Sequence, residues 1–171
     1  MKRNGIIWLM VALLVLPVVA TALSSCSKQV TAQPGLSDEE KARLEAERKA
    51  RERKAQLTDA FLNQHVLFDF DRYNIRADQE PVLRFKADYM TEFGSVLVEI
   101  QGHCDERGTE AYNMALGDRR AKSAMNYMES LGIVGSRMTT VSYGEERPID
   151  PGHDEAAWAK NRRAQFVIVG E

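Results

Sequence analysis

Residues 95–121 read SVLVEIQGHCDERGTEAYNMALGDRRA and combine an apolar run, a dense polar loop and a periodic apolar pattern. The run at 95–102 predicts a strand, because short stretches of aliphatic and β-branched residues are typical of one. From Thr109 to Leu131 apolar residues recur at helical spacing, which predicts a long helix that ends before Gly132. A strand that leads into a helix is the unit from which α/β folds are built.

Similar patterns flank this stretch on both sides. The other predicted elements are a strand at 66–70 (VLFDF), a helix at 78–93, a strand at 137–144 (RMTTVSYG), a short helix at 156–163 (AAWAKNRR) and a strand at 164–170 (AQFVIVG). The helical connections act as crossovers between strands. We therefore predict a two-layer α/β (α+β) sandwich of order βαβαβ(α)β, with helices packed on a mixed four-stranded sheet.

The N-terminal residues predict an export signal. Lys2 and Arg3 are followed by an apolar run at 6–22, and LSSC at 23–26 ends this region with small residues and a cysteine. The run is short for a membrane-spanning helix, which needs about 20 residues. LSSC resembles a bacterial lipobox, which predicts that residues 1–25 are a lipoprotein signal peptide. An ordinary cleavage site and a retained membrane anchor remain alternatives.

Cys26 is the predicted site of the lipid anchor, and Ser27 resembles the outer-membrane sorting pattern of such lipoproteins. We expect a protein that is lipid-anchored in the outer membrane and faces the periplasm. Residues 26–36 are polar and contain proline and glycine, which predicts a flexible tether. Residues 37–62 are rich in Ala, Glu, Lys and Arg and predict a charged helical linker, and we place the compact domain at 63–171.

Composition and motifs argue against several classes of function. The formal net charge of -2 and the interleaved acidic and basic residues do not favour nucleic-acid binding. No GxSxG or HExxH motif is present, so we expect a protein that is not an enzyme and needs no cofactor. A metal site would use His103, Cys104 and Asp105 with His65 or His153, but their spacing does not favour one and we expect no metal.

Polar side chains cluster where the predicted strands end. The set comprises Asp69 and Asp71 at the first strand, Asp105 after the second, Asn113, Leu116 and Arg120 on one face of the long helix, and Arg162 and Arg163 before the last strand. Carboxylates accept hydrogen bonds from an ammonium group, and guanidinium groups bind a carboxylate. The set is therefore suited to a zwitterionic ligand.

Four stretches together resemble the OmpA-like C-terminal domain family: VLFDFDRYNI, GHCDERGTEAYNMALGDRRA, VSYGEERPI and GHDEAAWAKNRRAQF. The likeness covers about residues 64–170 and is closest to the peptidoglycan-associated lipoproteins (Pal) of Gram-negative bacteria. It implies non-covalent binding of peptidoglycan through the diaminopimelate of the stem peptide, which Asp105 and Arg120 would grip. Six further positions are implied in the same pocket: Asp71, Phe70, His103, Asn113, Leu116 and Arg163.

The resemblance also implies a place in the Tol-Pal system of envelope integrity and cell division, with a TolB-like periplasmic protein as partner. Glu106 and Arg107 are the candidate residues for that contact. The chain departs from the family at Cys104, where Ala or Thr is usual. A lipid-anchored cell-wall hydrolase and an OmpA-like lipoprotein outside the Tol system remain alternatives. We expect Asp105→Ala or Arg120→Ala to abolish peptidoglycan binding while the domain stays folded.

Overall fold

A computed structural model describes residues 35–171 of the chain. The helices are α1 (Asp38–Asn63), α2 (Glu80–Glu92), α3 (Glu110–Ser130) and α4 (Glu155–Asn161), and the strands are β1 (Val66–Leu67), β2 (Leu97–His103), β3 (Met138–Gly144) and β4 (Arg163–Gly170). The predicted signal peptide, Cys26 and all but the last two residues of the predicted tether lie outside the described residues. Within residues 35–171, no helix has the length and apolar character needed to cross a membrane.

The four strands form one mixed sheet in the order β1-β4-β2-β3. β3 runs parallel to β2, with α3 as the crossover between them, and β4 runs antiparallel to both of its neighbours. At the centre of the sheet, Ile100 pairs with Thr140 on one side and with Phe166 on the other. The predicted fold class, helices packed on a mixed four-stranded sheet, is confirmed.

The core lies between the sheet and the helices. Val98 and Ile100 of β2 and Ala164 and Phe166 of β4 are at most 1% exposed. The helices add Leu83, Ala87, Met90, Ala121, Ala124 and Met128 to the same cluster. Because side chains alternate along a strand, the residues between these core positions point to the opposite face of the sheet. This alternation determines which of the predicted residues reach the candidate site.

A close approach of α3 to β2 depends on two glycines. A Cβ atom added to Gly102 would lie 1.9 Å from the backbone oxygen of Gly117, which leaves no room for a side chain. Nearby, the Ser142 hydroxyl donates to the backbone carbonyl of Met114 at 2.7 Å and ties α3 to β3. These contacts hold the first turns of α3 against the ends of β2 and β3.

Helix α1 begins one residue after Ser37 and continues past the predicted boundary between linker and domain at 62/63. Its first half is exposed and carries ion pairs one turn apart, such as that between Arg43 and Glu47 at 2.9 Å. Its last turns pack differently, because Phe61 is fully buried and its carbonyl accepts a hydrogen bond from the buried amine of Lys86. The C-terminal end of α1 is therefore part of the domain core.

Strand β1 is shorter than the predicted strand at 66–70. The backbone N–H of Phe68 still donates to the carbonyl of Arg162 at 2.9 Å, but the N–H of Arg72 donates to the carbonyl of Asp69 at 3.2 Å and closes a turn. Asp71, inside this turn, has a φ of 56°, in the left-handed region. The turn redirects the chain out of the sheet and towards α3.

Candidate ligand-binding cleft

A cleft of about 220 Å³ lies where the loops after β1 and β2 meet the first turns of α3. Its lining residues are Phe70, Asp71, Cys104, Asp105, Arg107, Gly108, Tyr112, Asn113, Leu116 and Arg120. The structure thus brings together most of the positions predicted for peptidoglycan binding, namely Asp105, Arg120, Asp71, Phe70, Asn113 and Leu116. Arg107, which was predicted as a contact for a protein partner, lines the same cleft.

The N-terminus of α3 sets the orientation of four lining side chains. The hydroxyl oxygen of Thr109 accepts a hydrogen bond from the backbone N–H of Tyr112 at 3.2 Å and caps the helix. From this fixed start, Tyr112, Asn113, Leu116 and Arg120 recur at helical spacing on one face. That face forms one wall of the cleft.

Asp105 is the buried carboxylate of the cleft, with 3% exposure. It accepts hydrogen bonds from the Arg107 side chain at 2.7 Å, the Arg107 backbone N–H at 3.1 Å and Arg162 Nη1 at 3.2 Å. Burial acts to raise the pKa of Asp105, but the hydrogen bonds from Arg107 and Arg162 outweigh it, and the pKa lies below its ordinary value. Asn113 supports the loop by donating to the carbonyls of Asp105 and Arg107, both at 3.2 Å.

Arg120 lies at the base of the cleft with 1% exposure. It donates to the backbone carbonyls of Arg72 at 2.9 Å, His103 at 2.8 Å and Asp69 at 3.1 Å, and to the sulfur of Cys104 at 3.3 Å. Burial lowers the pKa of Arg120 from its ordinary value. The side chain therefore connects the loop after β1 to the end of β2, and the ion pairs with Asp105 are made by Arg107 and Arg162.

Arg107 is held between two aromatic rings at the mouth of the cleft. Its guanidinium lies 4.0 Å from the centre of the Phe70 ring and 4.2 Å from that of Trp158. It also pairs with Asp105 and, at 3.6 Å, with Glu155. Phe70 is 54% exposed, so one side of this stack is open to solvent.

Glu106 points away from the cleft on the outer side of the same loop. Its carboxylate accepts a hydrogen bond from Trp158 Nε1 at 2.9 Å and lies 2.7 Å from Nδ1 of His153. The hydrogen bond from Trp158, followed by that from His153, holds the pKa of Glu106 below its ordinary value. Glu106 is thus exposed beside the cleft while Arg107 lines its mouth, and both of these residues predicted for a protein partner contact Trp158.

Asp71 and Tyr112 close the opposite rim. The phenol of Tyr112 donates a hydrogen bond to the carboxylate of Asp71, and this bond raises the pKa of Tyr112. Both side chains are exposed, and Tyr112 is 47% exposed. A carboxylate in the left-handed turn after β1 is therefore fixed over the N-terminus of α3.

Cys104 is a buried thiol in the wall of the cleft. Its Sγ donates to the carbonyl of Asn113 and accepts from Nη1 of Arg120, both at 3.3 Å. Burial raises the pKa of Cys104 to about 11, so the sulfur remains a thiol at neutral pH. A thiol in this state is a poor nucleophile.

Comparison with known proteins assigns the chain to a family. The sequence profile of the OmpA family matches residues 67–162, more than half of the chain. The chain belongs to the OmpA family. The predicted relationship to peptidoglycan-associated lipoproteins is also confirmed, since proteins of that name from Rhizobium meliloti and Pasteurella multocida are 43% and 46% identical over 105 and 99 residues.

These alignments cover 61% and 58% of this chain, and 60% and 66% of the respective relatives, less than two thirds of their length. The peptidoglycan-associated lipoprotein of Burkholderia pseudomallei superposes with a TM-score of 0.60 at 42% identity, covering 62% of this chain and 90% of that one. The C-terminal domain of Helicobacter pylori MotB, at 19% identity and a TM-score of 0.59, shares the fold. It covers 63% of this chain and 85% of that domain.

His103 and Arg163 do not line the cleft of this OmpA-family domain. Both are buried on the face of the sheet opposite the helices, where His103 stacks on Tyr143 at 5.6 Å between ring centres. Arg163 donates to the carbonyl of Arg147 at 3.3 Å and to Gln165 at 3.2 Å. The cause is strand alternation, because each residue is adjacent to one that faces the helices.

Arg162 belongs to the polar set predicted at the strand ends but not to the residues implied for the peptidoglycan pocket, although it donates to Asp105. It lies one position before Arg163, and also donates to the carbonyl of Phe68 at 3.1 Å and to Glu155 at 2.7 Å. Counting back in steps of two from the apolar Phe166 identifies Arg162 as the arginine on the helix side. Tyr112, also missed, shares the helix face of Leu116 and Arg120, so helical spacing would have included it.

Metal ligation has no support in the described part of the chain. No group of three or more His, Cys, Asp or Glu side chains is arranged to hold an ion within residues 35–171. His103 and Cys104, the adjacent residues considered as ligands, point to opposite faces of the sheet. The cleft instead presents carboxylates, guanidiniums and aromatic rings, which suit an organic ligand with charges of both signs.

Proposed function

We propose that this OmpA-family domain binds peptidoglycan non-covalently through the diaminopimelate side chain of the stem peptide. The observation that carries the proposal is the buried carboxylate of Asp105, kept ionised inside a cleft small enough for one amino-acid side chain. Relatives named peptidoglycan-associated lipoprotein support the same ligand. Diaminopimelate ends in a zwitterion, and the cleft provides charges of both signs for it.

In this proposal the roles of the residues follow from their charges. Asp105 and Asp71 accept hydrogen bonds from the ammonium of the ligand, and Phe70 and Leu116 contact its methylene groups. Arg120 shapes the base of the cleft and contributes positive charge there, while Asn113 holds the loop that carries Asp105. His103 and Arg163 take no direct part, since they lie on the other face of the sheet.

The cellular role follows from the lipoprotein signal. Residues 1–25 direct export, Cys26 carries the lipid, and residues 26–36 together with the exposed first half of α1 connect the outer membrane to the domain at the cell wall. The domain thereby anchors the membrane to the peptidoglycan as part of a Tol-Pal system, which acts in envelope integrity and cell division.

A TolB-like periplasmic protein is the proposed partner. It would contact Glu106 and Arg107, which together with Trp158 form a partly exposed surface at the mouth of the cleft. Because this surface adjoins the cleft, binding of the partner and of peptidoglycan would exclude each other. Co-purification of the two proteins in the presence and absence of a diaminopimelate peptide tests this arrangement, and simultaneous binding would argue against it.

Co-sedimentation with purified sacculi tests peptidoglycan binding. Asp105→Asn keeps the shape of the side chain and removes its charge, and we expect loss of binding by roughly one to two orders of magnitude, since a charge-assisted hydrogen bond contributes about 1.5–3 kcal/mol. Asp118→Asn, which removes a charge from the exposed ion pair with Lys122 on α3, is the matched control. Equal binding by both variants would contradict the proposed site.

The same sedimentation experiment separates binding from hydrolysis. A protein that only binds leaves the sacculi intact, so no soluble muropeptides appear in the supernatant. The high pKa of the Cys104 thiol, about 11, is unfavourable for nucleophilic attack on the ligand beside it. Release of muropeptides that depends on Cys104 would replace the binding role with an enzymatic one.

A further inference from the structure

The two arginines that line the cleft are both occupied by other groups of the protein. Arg107 pairs with Asp105 and Glu155 and is covered by Phe70 and Trp158. Arg120 uses both of its Nη atoms and its Nε on three backbone carbonyls and a sulfur. A ligand carboxylate that is positioned outside the cleft must therefore be bound by a different cationic side chain.

Arg119 is such a cation on the rim of the cleft. Its guanidinium lies 5.6 Å from the centre of the Tyr73 ring and 5.9 Å from that of Tyr112. The side chain is partly buried, and its Nε is enclosed without a hydrogen-bond partner. Among the ion pairs of residues 35–171, none involves Arg119, whereas its neighbours Asp118 and Lys122 pair with each other at 2.8 Å.

The environment of Arg119 is suited to a carboxylate. The Nε–H of Arg119 is withdrawn from water without a replacement hydrogen bond, whereas its two Nη groups are not enclosed in this way and can donate to a planar anion. The two tyrosine rings restrict the guanidinium, so that less side-chain entropy is lost when it binds a planar anion. Tyr112 lines the cleft and also contacts Arg119, so a ligand in the cleft extends directly onto this rim.

We propose that Tyr73, Arg119 and Tyr112 form a rim subsite that receives the free carboxylate next to diaminopimelate in the stem peptide. This inference rests on the proposed function. The residue before diaminopimelate is a glutamate joined through its side-chain carboxyl group, so its α-carboxylate is available. Arg119 binds this carboxylate while the diaminopimelate zwitterion occupies the cleft beside Asp105. The subsite thereby distinguishes stem peptides with a free α-carboxylate from those in which it is amidated.

The test compares two synthetic tripeptides, Ala-γ-D-Glu-diaminopimelate with a free glutamate α-carboxylate and the same peptide with that group amidated. Binding to the full chain in detergent is measured by calorimetry for the wild type, Arg119→Gln and Arg119→Lys. We expect the wild type to prefer the acid by about tenfold, as a charge-assisted contact implies. Arg119→Gln binds both peptides equally, and Arg119→Lys keeps part of the preference. A preference that survives in Arg119→Gln would overturn the subsite.

Two controls separate the possible outcomes. Arg72→Gln removes an equal charge from the exposed residue next to Tyr73 in sequence, and we expect it to keep the preference. An equal loss of preference in this variant would show that only net charge matters and would overturn the subsite. Asp105→Asn weakens binding of both peptides without changing their ratio. Failure of the wild type to bind either peptide would overturn the proposed function and the subsite with it, whereas equal binding of both peptides by the wild type would overturn the subsite alone.

Discussion

Nη2 of Arg107 lies 2.7 Å from Oδ2 of Asp105, and the backbone N–H of the same arginine donates to Oδ1 at 3.1 Å. The pair is formed within one loop and sits at the mouth of the cleft. The pair keeps this buried carboxylate ionised, whereas burial alone would favour its neutral form. A ligand ammonium therefore meets an anion that is already positioned and deprotonated.

The first prediction follows from this pair. Arg107→Gln removes the side-chain donor but keeps the backbone N–H, so we expect the pKa of Asp105 to rise while the loop conformation is retained. Carboxyl ¹³C NMR titration of the wild type and the variant measures this pKa. Arg84→Gln, which removes an exposed arginine on α2, is the control and leaves the Asp105 titration unchanged. An unchanged titration in Arg107→Gln would show that Arg162 and the backbone N–H of residue 107 suffice to maintain the ionised state.

The structure changes the expectation for Arg120→Ala, which on sequence grounds would lose binding without loss of fold. Truncation leaves the carbonyls of Asp69, Arg72 and His103 without their donor in a buried place. We expect a loss of about 3 kcal/mol in the free energy of unfolding, measured by urea denaturation. Arg119→Gln, at the adjacent and partly exposed position, should change it by less than about 0.5 kcal/mol. Equal stability of Arg120→Ala and the wild type would contradict this structural role.

The local pattern of apolar and polar residues was sufficient to predict most of the fold. The apolar runs of β2, β3 and β4 and the helical periodicity of α3 depend on neighbours in sequence, and each element is found within a few residues of its predicted bounds. The sequence places the end of α1 in the linker, because one buried aromatic residue in a charged helix does not produce a recognisable apolar periodicity. Phe61 is in the core only because α2 and β4 pack against it, which depends on contacts distant in sequence.

The candidate site was predictable where it depends on helical spacing and not where it depends on the pairing of loops. Asn113, Leu116 and Arg120 share a face of α3, as their spacing indicates. The resemblance assigns Arg163 to the pocket, but Arg162 and Arg163 are adjacent at the start of β4 and their side chains point to opposite faces of the sheet. Only the alternation of side chains along the strand distinguishes them. The contact between Asp105 and Arg162 joins residues 57 positions apart, and no local pattern encodes it.

The packed end of α1 leads to a second prediction on stability. Phe61 stacks on Tyr89 at 4.5 Å between ring centres, meets Phe166 edge-on at 6.0 Å and is fully buried. Phe61→Ala should lower the free energy of unfolding by roughly 3–5 kcal/mol, as large-to-small changes in a core do. Leu44→Ala, in the exposed half of the same helix, is the control and should have little effect. Similar unfolding curves for the two variants would place α1 outside the domain.

The last prediction concerns two histidines on the helix-free face of the sheet. Burial, followed by the nearby charge of Arg163, lowers the pKa of His65 to about 4 and that of His103 to about 3. In the unfolded chain both titrate near 6.5, so between about pH 6.5 and pH 4 the unfolded state binds more protons than the folded state. Folding stability from these residues is therefore complete above pH 6.5 and is lost as the pH falls through this window.

Urea denaturation at pH 7.5, 6.0 and 5.0 measures the effect. We expect the free energy of unfolding of the wild type to decrease along this series. The decrease should be smaller in the double variant His65→Gln/His103→Gln, because it lacks the two imidazoles that gain a proton on unfolding in this window. His153→Gln is the matched control, because His153 is exposed and its side chain contacts only the outer loop at Glu106. Asp105 is unchanged in all three proteins, so its own titration contributes equally to each series and does not obscure the comparison. Parallel curves for the wild type and the double variant would show that the two imidazoles take up protons in the folded protein as readily as in the unfolded chain.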